Sequence, residues 1–431
     1  MNIILAILAF NFIVIAHELG HFIVAKLSDI KVLEFSLFVG PKLFSIKRGE
    51  TEYSLRLFPI LAYVRMEGEE EESDNERAFN KKPLHIRAAV IAAGPLSNII
   101  IAIVVLSIVF SITGFTTTKL DYVEADSPAY EASLQKDDII LKYDGKKVYH
   151  PMDVVQFVYV YKGKPAEVEV LRDGKKFTAY ITPEVIPERE LYLIGVSVEN
   201  INGELSNVIS QVIPNSPAEA AGIMPGDKVV KLNDVSVSKK ADIDNFMKEN
   251  KANPVKMTIE RNNSQIVLDI TPYVEKIPEQ YYVGIEFEAR KGNLFETVRN
   301  SISYAYSTIR SVVYSIGWLI TGRAPLSQIM GPIGIVSEIG NVVEQGTTLA
   351  DKLIYLLNIA AFISIAMGAM NLVPFPALDG NKLLLILVEV VRKKPIPPEK
   401  EAVISTIGFI ILILLALFTV YNDTLRLIRG G

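Results

Sequence analysis

The residues best able to do chemistry lie near the start of the chain, where His17-Glu18-Leu19-Gly20-His21 spells H-E-x-x-H. Two histidines four apart share one helix face and can present imidazole nitrogens to a single metal ion, while the glutamate between them can polarise a water held by that ion. The setting strengthens this reading. Residues 1–26 are otherwise almost wholly apolar, and an ionisable side chain in such a segment is costly and usually marks function. Two of the four histidines stand here, and with no cysteine in the chain any metal must be held by His, Asp or Glu. A catalytic zinc takes three protein ligands and leaves a position for water, so a third donor is needed from elsewhere. Asp379 is the candidate, because it follows Asn371-Leu372-Val373-Pro374-Phe375-Pro376-Ala377-Leu378, where two prolines break an apolar run just before an acidic residue. The plainer alternatives are a buried hydrogen-bonded cluster around His17 and a helix N-cap at Asp379.

Four apolar stretches must carry these residues: 1–26 with the H-E-x-x-H motif, 85–115, 351–380 ending on Asp379-Gly380, and 403–425. Each is long enough to cross roughly 30 Å of hydrocarbon. Half the residues are hydrophobic and the mean hydropathy is +0.29, as expected of a chain with such segments. The first stretch lacks the basic start and small-residue cleavage site of a removable signal peptide, so it reads as a retained span. Residues 287–350 read as interfacial amphipathic helices, since Ile302 to Ile320 carries Arg310 midway among Ser and Tyr. Lysines and arginines cluster in 27–84 and 381–402, which should therefore be cytoplasmic loops. With one span between the first and third, both metal-bearing segments then end on the cytoplasmic side, and the metal falls in the cytoplasmic half of the bilayer. Within 27–84, Val32 to Met66 alternates apolar runs with turns and reads as a β-hairpin sheet whose edge could offer hydrogen bonds to an unwound substrate. The acidic run Glu67 to Glu72 reads as a solvated loop, and His85 and His150 as ordinary surface or interfacial residues.

Between the second and third spans the chain repeats itself. Ser127-Pro128-Ala129 returns as Ser216-Pro217-Ala218, Asp138 as Asp227, Arg172 as Arg261 and Gly195 as Gly284, all at one offset, 216 − 127 = 89. Two small α+β modules follow, over 119–196 and 197–286. The run from Ser216 to Val229 resembles PDZ domains, which add an extended peptide or C-terminus to a sheet edge. The first copy has Ser133 and Asp137 where the second has Gly222 and Gly226. The modules should be extracytoplasmic, and act either on C-terminal peptide ligands or as spacers and steric filters. The net charge of −5 has no basic face or stripe, so nucleic acid is not a partner.

Together these residues resemble the site-2 protease family of intramembrane metalloproteases, and the paired PDZ-like repeats resemble its bacterial regulator-of-sigma-E protease branch. Further family features recur at Gly94-Pro95 with Asn98, at Gly331-Pro332-Ile333-Gly334, and in the run from Asn371 to Gly380. Two departures are Asn381, where a second glycine is usual, and Leu61-Ala62, where Gly-Gly often precedes Tyr63-Val64. The resemblance implies one zinc ion held by His17, His21 and Asp379, with Glu18 as catalytic base and Asn371 and Asn98 binding substrate. It also implies an endopeptidase of the bacterial inner membrane. Its substrates would be single-span membrane proteins of anti-sigma-factor type, and remnant signal peptides, cut within the bilayer after a prior extracytoplasmic cleavage. The expected fold is a polytopic α-helical membrane protein with four transmembrane helices, a membrane-associated β-hairpin sheet and two α+β PDZ-like domains. A rival reading is a catalytically silent scaffold that binds protein tails. A carrier using intramembrane His and Glu is a third, though no inverted repeat relates the spans.

Overall fold

The computed structural model describes residues 2–69, 71–201, 204–213, 216–322, 329–344 and 346–428. Helix α1 (Asn2–Leu27) runs through the apolar start and stops at Asp29, whose φ of 52° cannot continue a helix. Two long antiparallel strands, β1 (Val32–Arg48) and β2 (Thr51–Met66), and a 3-10 turn (Phe79–Lys81) lead to α2 (Leu84–Thr113). Among the described residues four helices are long and apolar enough to cross a membrane, over Ile7–Leu27, Leu84–Thr113, Leu349–Asn371 and Glu399–Thr424.

Both strands of the hairpin bend, at Phe38 (φ 70°) and Leu61 (φ 66°). Glu34 to Leu37 consequently pair twice, with Glu52 to Leu55 on one side and with Ala62 to Arg65 on the other. The result is a small sheet of four limbs in the order 62–66, 32–37, 51–56, 42–48, with 62–66 at one edge. The sheet, expected as a membrane-associated hairpin, runs along the first span. Lys26 Nζ meets Glu50 Oε1 at 2.6 Å, and Asn11 Nδ2 donates to Pro59 O at 2.7 Å, so contacts extend over about 22 Å of a helix rising ~1.5 Å per residue. Leu43, Phe44, Phe58 and Ile60 are exposed at the bent end, a surface suited to hydrocarbon.

After Gly114 ends α2, the chain enters the first repeat: β3 (Phe115–Val123), α3 (Pro128–Glu131), β4 (Ile139–Tyr143), β5 (Lys146–Lys147), α4 (Pro151–Val160), β6 (Ala166–Arg172) and β7 (Lys175–Ile181). Next come β8 (Glu184–Ile186), β9 (Arg189–Leu193), β10 (Val196–Ile201), β11 (Glu204–Val212), α5 (Pro217–Ala220), β12 (Lys228–Leu232), β13 (Val235–Ser236), α6 (Lys240–Asn250), β14 (Val255–Arg261), β15 (Ser264–Ile270), β16 (Tyr273–Ile277), β17 (Gln280–Tyr282) and β18 (Ile285–Arg290). The sheets do not respect the expected boundaries. One is ordered β18-β3-β4-β6-β7 and the other β10-β11-β12-β14-β15, so β18, at the end of the second repeat, completes the first module. The chain accordingly divides into one compact unit of residues 1–184 and 283–423 and another of 185–282 with 424–431. The second module is an insertion within the first, not its successor.

Each module is pinned by the same clamp. Arg172 Nε donates to Asp138 Oδ1 at 2.7 Å and its Nη2 to Ser133 O at 2.6 Å; Arg261 does the same to Asp227 Oδ1 and Gly222 O, at 2.7 Å each. Ser133 and Asp137 take φ of 62° and 72°, keeping the left-handed backbone that Gly222 and Gly226 adopt, at roughly 1–2 kcal/mol each without glycine.

The remaining helices are α7 (Leu294–Ile320), α8 (Pro332–Glu344), α9 (Leu349–Asn371), α10 (Asp379–Arg392) and α11 (Pro398–Ile428). The segment expected to be a single span over 351–380 ends at Asn371, and most of the expected loop 381–402 is helix. A turn carrying Pro374 and Pro376, with Ala377 at φ 76°, separates α9 from α10. Helix α7 packs Ala305 against α2 and α9 and turns its polar face to α4 of the first module. There Arg310 Nη2 meets the fully buried Asp153 Oδ2 at 2.6 Å and Ser307 Oγ donates to the same oxygen at 2.9 Å. His150, expected at the surface, is buried beside them with its ring edge-on to Tyr304, and burial lowers its pKa to about 4. Asp423 of α11 accepts from Gly331 N (3.1 Å) and Gly334 N (2.8 Å), so the Gly-Pro-Ile-Gly run is a cradle for a carboxylate at the start of α8.

Candidate metal centre

Helices α1 and α2 place the two histidines opposite a row on α2 spaced by four, Val90, Gly94 and Asn98. His21 Nδ1 lies 2.8 Å from Val90 O, so the proton sits on Nδ1 and the Nε2 lone pair is free. Gly94 admits the ring: a Cβ there would fall 2.2 Å from His21 Nε2. Asp379 comes from the first residue of α10, brought up by the proline turn. Gly380 lets that turn close, since a Cβ there would meet Val373 O at 2.2 Å and Leu372 O at 2.4 Å.

His17, His21 and Asp379 converge, each offering one ligand atom with all three within 4.8 Å of one another. His17 Nε2 and His21 Nε2 are 3.2 Å apart, and Asp379 Oδ2 lies 3.1 Å and 3.5 Å from them. Donors at zinc-ligand distances of ~2.0–2.1 Å, set at tetrahedral angles around one ion, stand about 3.3 Å apart. The spacing therefore fits a shared zinc. The chemistry agrees, because two lone pairs and a carboxylate facing one another repel unless a cation lies among them. Both histidines are buried and Asp379 half-buried.

Glu18 is half-buried beside His17, and its Oε2 accepts from the backbone N–H of Val64 at 3.0 Å. Val64 belongs to the edge limb 62–66, so an outward-facing edge amide holds the carboxylate in place. Nothing in the residue pattern identified Val64; only the doubled pairing of β1 and β2 puts its N–H outward. Lys382, one turn beyond Asp379, was also missed. Its Nζ meets Glu69 Oε1 at 2.8 Å, tying the acidic run to α10. Burial works against that charge, yet Glu69, with Asp379 and Glu401, holds the pKa above the ordinary lysine value.

The two expected substrate-binding residues are not alike. Asn371 is half-buried at the end of α9, across the proline turn from Asp379. Asn98 is fully buried inside α2, with its amide 3.5 Å from His17 Nδ1.

A family model described as peptidase family M50 matches residues 5–415. A protein of Bacillus licheniformis named zinc metalloprotease RasP is 32% identical over 99% of this chain and 100% of its own length. Its namesake in Geobacillus kaustophilus is 29% identical over 98% of this chain and 97% of its own. The regulator of sigma-W protease RasP of Bacillus subtilis is 29% identical over 99% of each. Among solved structures, a ligand-bound HtrA3 PDZ domain aligns with 21% of this chain and 91% of its own at 21% identity and a TM-score of 0.17.

Proposed function

The chain belongs to peptidase family M50, and from that premise we propose that it is a zinc endopeptidase cutting single-span membrane proteins within or beside the bilayer. The observation that carries this is the convergence of His17, His21 and Asp379 inside an apolar helical setting, with Glu18 alongside. These three residues would hold the ion. Zinc, when bound, supplies Lewis acidity toward water and the scissile carbonyl. Glu18 takes a proton from the attacking water and delivers it to the amide nitrogen that leaves, so that one water and one peptide bond give a carboxylate end and an amine end. The Val64 amide orients the Glu18 carboxylate for this work. The rest of the limb 62–66 is an edge to which an unwound substrate can add as a strand, replacing the helical hydrogen bonds it gives up.

The four spans make this an integral membrane protein. In our reading the membrane is the bacterial inner membrane, the metal lies in its cytoplasmic half and the PDZ-like modules are extracytoplasmic. Anti-sigma-factor-type proteins already cut on the outer side, and remnant signal peptides, are the substrate class. The name of the Bacillus subtilis relative supports the first of these. The modules admit or refuse substrates by size or bind their C-terminal tails. The test is purified full-length protein assayed for zinc and for cleavage of a single-span substrate. Glu18→Gln should keep one zinc per chain and lose cleavage, and Asp379→Asn should lose both. Cleavage by Glu18→Gln would overturn the mechanism.

A further inference from the structure

His21 and His17 face the same ion only if each keeps its proton on Nδ1, because a neutral imidazole has one N–H and Nε2 must offer a lone pair. For His21 the acceptor is the Val90 carbonyl. One turn back on α1 and two turns on along α2, His17 Nδ1 faces the side chain of Asn98 at 3.5 Å. No other polar contact to that nitrogen is found among the described residues. Asn98 is wholly buried, and with Nδ2 turned to His17 its Oδ1 is left without a partner. The two ends of an amide have the same shape, so a half-turn of the group places Oδ1 against Nδ1–H and removes a clash of two donors. The main chain that carries Asn98 is also braced. Ser364 of α9 donates to Asn98 O at 3.0 Å, and Gly368 permits the approach, since a Cβ there would meet Pro95 O at 2.7 Å.

We propose that Asn98 is a positioning residue: its amide oxygen accepts from His17 Nδ1–H and keeps His17 Nε2 turned toward His21 and Asp379. This rests on the zinc reading and replaces the substrate-binding role expected from sequence. The pair Val90 and Asn98 then fixes both histidines from one face of α2, one through a carbonyl of the main chain and one through a side chain that can be replaced.

The experiment uses the full-length protein and measures zinc affinity by competition with a chelator, beside KM and kcat on a single-span substrate at saturating zinc. Asn98→Leu keeps the volume and removes the acceptor, so zinc should bind 10–100-fold more weakly with KM little changed. Asn98→Asp keeps an acceptor oxygen, and should bind zinc at least as tightly as the wild type. Wild-type zinc affinity in Asn98→Leu, above all with a raised KM, overturns the assignment and returns Asn98 to substrate binding. Should Asn98→Leu not fold, Asn98→Asp decides, and weaker zinc binding there overturns it equally. A wild-type chain that takes up no zinc overturns the metal centre itself, and this assignment with it.

Discussion

Gly94→Ala should empty the metal centre without unfolding the protein. The added Cβ would lie 2.2 Å from His21 Nε2, 2.6 Å from Cε1 and 2.8 Å from Cδ2, whereas ordinary contacts begin at 3.4 Å, so the ring must retreat by 3.4 − 2.2 = 1.2 Å. The ring is not free to do so, being held at Nδ1 by Val90 O. It either swings and loses that bond or carries α1 away from α2. Metal–ligand distances tolerate only about 0.2 Å, so either movement removes His21 from the ion. Two remaining ligands should bind zinc at least ~100-fold more weakly, and a reacting group misplaced by ~1 Å costs on the order of 10²-fold in rate. Alanine is otherwise a better helix former than glycine by roughly 1 kcal/mol, so the fold should survive. Gly317→Ala in α7 is the control: beyond its own helix backbone and chain neighbours no atom of the described residues lies within 4 Å of its Cβ, and zinc and cleavage should stay at wild-type levels. The assay is zinc per chain, cleavage and thermal unfolding for all three proteins. A Gly94→Ala enzyme with one zinc and wild-type cleavage would refute the reasoning.

Arg310→Ala should loosen the first module from α7 by roughly 3 kcal/mol, the lower end for breaking a buried ion pair, because Asp153 keeps its bonds from Tyr149 N, His150 N and Ser307 Oγ; hydrogen exchange over 146–160 measures it. Acid should act at the same place. His150 titrates near 4 when folded and 6.5 when free, so the unfolded state takes up the proton first. Stability is then whole above about pH 6.5, falls by about 2 kcal/mol at pH 5 and continues to fall through pH 4, despite the nearby Asp153. His150→Gln should flatten that part of the profile of thermal unfolding against pH. Replacing 185–282 by a short linker should leave zinc in place and admit substrates with bulky outer domains; slower cleavage of short substrates as well would mean that the second module captures them instead.

The three residues that converge in the fold could be picked out in the sequence because the chemistry constrains them locally: H-E-x-x-H needs only the helix repeat, and Asp379 stood out because prolines and an acid interrupt an apolar run. The span count was legible for the same reason, and α7 was kept out of it by Arg310. What covers Arg310 was not legible. Its partner Asp153 lies 157 residues away in sequence, and nothing local to His150, read as a surface or interfacial residue, points to its burial beside α7. Val64 was hidden for another reason. A bent strand that pairs along both edges of its neighbour looks, in sequence, like any alternating run, and only the register shows which amides are left outward.

The repeat shows most clearly what sequence identity conveys and what it does not. Strands β10 and β18 begin at 196 and 285, which is the same offset of 89, so they are equivalent positions of two copies. Equivalence does not choose a partner, because strand pairing is made by backbone groups that every sequence carries. Here β10 joins the following copy and β18 reaches back to the preceding one. The consequence is mechanical. The first module is held at both ends, β3 leaving α2 through Gly114 and β18 running into α7, and it is further tied by Arg310. The chain enters the second module through β8 and leaves it through β17, and these two strands pair with each other. Any covalent connection from the second module to α2 or α7 therefore has to pass through the first.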